Sequence, residues 1–147
     1  MSFCSYGQIF DFNELDSYNN IFLETDDFED SYLQVMEEAI PKIKVDTIRF
    51  SVLNDLSYYW HTRNLIKALN FAEQGLKLTS EKNNSLWNGR FQITQGSILL
   101  RQEKLEAAER VLNEAEKKVR ETDLAFLYTQ LGYVYERRGK LGRAADY

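Results

Sequence analysis

Proline occurs once in this chain, at position 41, and glycine only seven times. Little in the sequence therefore stops a helix once it has started. Apolar residues recur at the three- and four-residue spacing of a helix face. The clearest run is Leu105, Ala108, Val111, Leu112, Ala115 and Val119. A second is Leu65, Ala68, Leu69, Ala72 and Leu76. A third is Ile48, Val52, Leu53, Leu56, Tyr59 and Trp60. No segment reads as a strand, so the expected fold class is all-α.

Capping and breaking residues divide the chain into about eight helices. Residues 1–12 are ambiguous, too apolar for a free tail but without a clear period. Glu14 to Leu23 has helical spacing. Asp26 or Asp27 caps a helix from Phe28 to Ile40, which Pro41 ends. Asp46 or Thr47 caps a long helix to about Thr62. Leu65 to Leu78 follows, then a polar loop from Ser80 to Asn84. Ser85 caps Leu86 to Leu100, and the next turn lies near Gln102 to Lys104. Leu105 to Val119 is helical, Glu121 to Asp123 is a break, and Leu124 to Arg137 is helical again. Gly139 reads as the residue just past a helix end, with a last helix opening at Leu141. Helices joined by such short loops form either a bundle or a solenoid, and periodicity decides between them.

The closing stretch reads Tyr128-x-x-Leu131-Gly132-x-x-Tyr135, then Gly139, Ala144 and Tyr147. It resembles the tetratricopeptide repeat, with tyrosine in place of the leading tryptophan and of the closing phenylalanine. One unit upstream, Gly96, Leu99 and Ala108 take the places of Gly132, Tyr135 and Ala144, an offset of 36 residues. Further back, Ala68, Ala72 and Gly75 occupy the second-helix positions. The resemblance implies antiparallel helix hairpins stacked as a right-handed superhelix, an α-solenoid. Its units would be a degenerate first one at 13–46, then 49–82, 89–122 and an incomplete one at 125–147. Small residues at mid-helix let two axes approach closely. Gly96 and Gly132 are therefore expected at tight helix contacts.

Composition narrows the function. Net charge is −5, which argues against nucleic acid as the main partner. The charge is uneven, with eleven acids and two bases up to Thr47, and twelve acids and sixteen bases after it. A single cysteine, Cys4, permits no intrachain disulfide and fits a reducing, cytoplasmic setting. No apolar run approaches the ~20 residues of a membrane span. His61 is the only histidine, which excludes the common multi-histidine metal sites. There is no phosphate-binding glycine loop and no nucleophilic pair. No cofactor and no catalysis are expected.

In tetratricopeptide arrays the first helix of each pair lines the concave face. By register, that face here carries Phe50, Leu53, Ser57, Trp60 and His61; then Arg90, Ile93, Ser97, Leu100 and Arg101; then Phe126, Thr129, Tyr133, Glu136 and Arg137. Phe50, Leu53 and Leu100 suit a core better than a ligand. The partner-binding residues expected from this resemblance are Trp60, His61, Arg90, Arg101, Phe126, Tyr133 and Arg137, gripping a protein or peptide. The family's carboxylate-clamp lysines and asparagines are missing, so chaperone-tail binding is not implied. Segments such as Asp46-Thr47-Ile48-Arg49 and Lys67-Ala68 resemble repeat regions of bacterial multi-domain signalling and regulatory proteins. The alternative is a self-associating structural module, a homo-oligomer formed through an exposed apolar helix face.

Overall fold

The computed structural model describes residues 30–146, with side chains described over 33–140. The expectations for residues 1–29, Cys4 and the helix near Glu14 among them, lie outside the described residues. Six α-helices appear: α1 (Asp30–Ala39), α2 (Asp46–Trp60), α3 (Leu65–Glu81), α4 (Ser85–Arg101), α5 (Leu105–Glu116) and α6 (Glu121–Asp146). A 3-10 turn, Ile40–Lys42, follows α1. There is no strand among the described residues. The chain divides into two compact units, Met1–Leu53 and Asn54–Tyr147, a boundary that falls inside α2.

In the first unit, α1 stops where Pro41 would take away an amide donor. The 3-10 turn closes with Ile43 N–H donating to Ala39 O at 3.1 Å. Arg49 Nε then donates to Ile43 O at 3.1 Å, tying the first turns of α2 to that turn. Met36, Ala39, Ile43, Phe50 and Val52 are buried.

In the second unit each helix packs on the next: α3 on α4, α4 on α5, α5 on α6, with α4 also touching α6. Three residues join α3 to α4 and three join α4 to α5, lengths that make helix hairpins. Both turns use one device. Asn84 N–H reaches Thr79 O at 2.9 Å and Asn83 N–H reaches Ser80 O at 3.2 Å. Lys104 N–H reaches Leu99 O at 2.9 Å and Glu103 N–H reaches Leu100 O at 3.1 Å. This is the Schellman pattern, and it needs a left-handed residue, here Asn83 at φ 53° and Glu103 at φ 60°. Asn84 also caps α4, its side chain accepting from Trp87 N–H at 3.0 Å. The cap is thus one residue before the expected Ser85.

The main core gathers Leu105, Ala108, Leu112 and Ala115 of α5 with Leu127, Leu131 and Val134 of α6 and Ile93 of α4. Each fully buried Leu or Val there contributes about 1.5–3 kcal/mol. A smaller cluster sets Ala68 and Ala72 against Ile98, with Trp60 packed on it. Glycines make these approaches possible. A Cβ on Gly96 would lie 2.6 Å from Leu112 Cγ, and one on Gly75 2.1 Å from the Phe91 ring.

Three expectations about α6 fail. Among the described residues Gly132 has nothing within 4 Å of where a Cβ would stand, so none of them makes a tight helix contact there. Nor does Gly139 end a helix: α6 runs unbroken from Glu121 to Asp146, and no glycine among the described residues has positive φ. Side-chain pairs hold the helix through this region. Lys140 pairs with Glu136 at 3.0 Å across one turn, while Arg137 pairs with Glu103 and Arg138 with Glu109. A glycine inside a helix costs only about 1 kcal/mol, which such contacts can offset. Glu121 to Asp123, expected as a break, is the first turn of α6.

Candidate binding groove

Three segments of the second unit converge on a groove of about 870 Å³. The turn His61–Asn64 and the start of α3, with Leu65 and Ile66, form one side. The end of α4 and its turn supply Leu100, Arg101 and Glu103. One face of α6 supplies Tyr133, Glu136, Arg137 and Lys140. The α4–α6 packing brings the last two segments together. Two hydrogen bonds fix the end of α2 beside them: Ser57 Oγ donates to Ala68 O at 2.7 Å, and Thr94 Oγ1 to Asn54 Oδ1 at 2.7 Å.

His61 is buried at the base of the turn. Its ring stacks on Tyr58 with centroids 4.4 Å apart. Nδ1 lies against the Tyr58 carbonyl, which only accepts, so in the neutral ring Nδ1 carries the proton and Nε2 is free to take a second. Burial holds this imidazole below its ordinary value, and the nearby Arg101 and Arg63 push the same way. The Tyr58 carbonyl opposes them. The ring is thus neutral near pH 7.

Four cationic and two anionic side chains line the groove. Arg63 lies 3.9 Å over the Tyr59 ring and donates to Tyr59 O at 2.8 Å. Arg137 is bonded to Glu103, which raises its pKa further. Lys140 bonds Glu136, which lowers that carboxyl. Arg101 is exposed and forms no ion pair among the described residues. Ile66, on the rim, is 84% exposed.

Of the residues chosen by register, His61, Arg101, Tyr133 and Arg137 line this groove, while Trp60, Arg90 and Phe126 do not. Trp60 packs on the Ala68–Ala72 cluster with Lys67 4.4 Å over its ring. Phe126 meets Tyr58 edge-on at 5.6 Å. Arg90 is a strut: its Nε lies 3.2 Å from both oxygens of Asp123 at the start of α6, and its guanidinium sits over Trp87. That carboxylate also accepts Arg120 N–H at 3.1 Å, so one side chain serves a cap and an ion pair. Ile93 and Ser97 are core residues, and Phe50 and Leu53 are buried. The register missed Thr62, Arg63, Asn64, Leu65, Ile66, Glu103 and Lys140. All but Lys140 stand on turns or a second helix, which the first-helix register does not scan.

Among the described residues no group of His, Cys, Asp and Glu is placed to hold a metal ion. No described helix is long and apolar enough to cross a membrane. No family model, curated protein or solved structure matches the chain.

Proposed function

We propose that this chain is a non-catalytic scaffold of tetratricopeptide type, an α-solenoid of helix hairpins that binds a peptide or helix of a partner protein in its groove. It works in the cytoplasm, as the sensing or interaction part of a larger bacterial regulator. One observation carries the reading. Residues selected only by register, His61, Arg101, Tyr133 and Arg137, line a single groove although they come from the ends or faces of three different helices. The groove offers an exposed tyrosine and arginines, residue types that dominate interface energies. Selection of peptides from a display library on the full chain tests it. Tyr133 is half exposed, so Tyr133→Ala leaves the fold intact. Binding of the selected peptides should fall at least about fivefold in that variant, a loss of ~1 kcal/mol. Binding indifferent to Tyr133 sinks the groove.

One observation favours a second reading, self-association. On α6, Tyr128 and Tyr135 are each about half exposed and flank Gly132, which no described residue covers. A glycine hollow between two aromatic rings suits the close approach of another helix. Light scattering separates the readings: a monomer favours groove binding, and a dimer that survives high salt favours the structural module.

A further inference from the structure

The groove's charges are not balanced. Both carboxylates that line it are already taken, Glu103 by Arg137 and Glu136 by Lys140. Arg101 faces the same space with no ion pair among the described residues. It acts on the His61 ring, which it repels rather than stabilises when that ring is charged. This guanidinium stands on a chain whose net charge is −5. Beside it the rim is aliphatic: Leu65 is partly buried and Ile66 is 84% exposed. A basic ligand would meet the guanidinium of Arg101, and a purely apolar one would leave Arg101 to be desolvated without a partner.

Resting on the groove reading above, we propose that the occupant is an acidic segment of a partner protein, with a carboxylate on Arg101 and a neighbouring aliphatic side chain on Leu65 and Ile66. Arg101 holds the carboxylate through paired N–H donors, a geometry that lysine cannot reproduce. His61 adds a second donor once Nε2 is protonated. Its neutral state in the empty groove means that an arriving carboxylate draws a proton with it. Tyr58 from α2, Arg63 on its own turn and Arg101 from α4 act on His61, and the other titratable or charged groups that share the groove are Glu103, Tyr133, Glu136, Arg137 and Lys140.

Peptides selected on the full chain, then synthesised and titrated by fluorescence anisotropy, supply the test. The expected winners carry Asp or Glu next to Leu, Ile or Val, and bind less tightly as salt rises. Arg101→Glu should weaken them at least about tenfold, or ~1.4 kcal/mol, while Arg101→Lys retains part of the affinity. Arg101 is exposed, so both variants should melt as the wild type does. Winners that are neutral or basic, yet still depend on Tyr133, would overturn the acidic class and leave the groove standing. Winners that ignore both Tyr133 and Arg101 would overturn both. Displacement of the peptide by an equal concentration of oligouridylate would overturn a protein partner in favour of a single-stranded nucleic acid.

Discussion

Adding one methyl group at Gly96 and at Gly132 should move stability in opposite directions. Both glycines lie inside helices, α4 and α6. Alanine is favoured over glycine there by about 1 kcal/mol, because it has less backbone freedom to lose. At Gly132 no described residue lies within 4 Å of the new Cβ, so the whole gain should be realised. At Gly96 the Cβ would stand 2.6 Å from both Cγ and Cδ2 of Leu112, where ordinary contact begins near 3.4 Å. Cγ is a branch point rather than a flexible tip, and Leu112 is fully buried among Ala108, Leu127 and Leu131. Relief requires α4 and α5 to part, an overpacking cost of roughly 1–3 kcal/mol. The net at Gly96→Ala is therefore a loss of about 1 kcal/mol, against a gain of about 1 kcal/mol at Gly132→Ala. At this chain length the two variants should differ in Tm by about 4–8 °C. Thermal melts followed by circular dichroism at low protein concentration measure it. A coupling test sharpens it: in a Leu112→Ala background, Gly96→Ala should turn stabilising, because the clashing atoms are gone. If Gly96→Ala raises Tm as Gly132→Ala does, the α4–α5 packing described above is wrong.

Two serines on the inner helices give a matched comparison. Ser57 and Ser97 are both buried, but Ser57 donates to Ala68 O and Ser97 Oγ has no partner. Ser57→Ala should lose about 1 kcal/mol of unfolding free energy in urea titration, whereas Ser97→Ala should match the wild type or gain up to about 1 kcal/mol. His61 sets a pH response. Because burial holds its folded-state pKa below the ordinary value, the unfolded chain binds the proton first on acidification. The stability it protects is complete above about pH 6.5 and is lost as pH falls through the lower folded value. His61 is the only histidine. Tm measured from neutral to mildly acidic pH should therefore fall more steeply for the wild type than for His61→Gln, and parallel curves would refute it.

Helix existence was legible because the apolar period is strong: Leu105, Ala108, Val111, Leu112 and Ala115 all fall on the buried side of α5. Helix ends were less so. Asn84 and Ser85 are both good caps, and only the bond to Trp87 N–H selects between them. The groove was half legible. A register finds residues that repeat along first helices, such as Arg101 and Arg137, but not turn residues brought in by the fold. Nor does it show that Arg90 is already used, since its partner Asp123 is 33 positions away.

Glycine explains the remaining misses. A glycine in a helical pattern is ambiguous between a turn and a close contact, and in this chain the two jobs are separated. The tight turns are made by Asn83 and Glu103, which accept left-handed backbone. For Glu103 that conformation is strained by roughly 1–2 kcal/mol. Gly75, Gly89 and Gly96 are instead placed inside α3 and α4, where a Cβ would come within 3 Å of a side chain on α4, on the turn after α5 and on α5 respectively. Reading Gly139 as a turn therefore applied a rule that this chain does not follow. Reading Gly132 as a contact applied the rule that it does follow, at the one position among these four where no described neighbour fills the space. That unfilled space makes Gly132 the point at which the self-association reading is most directly open to test.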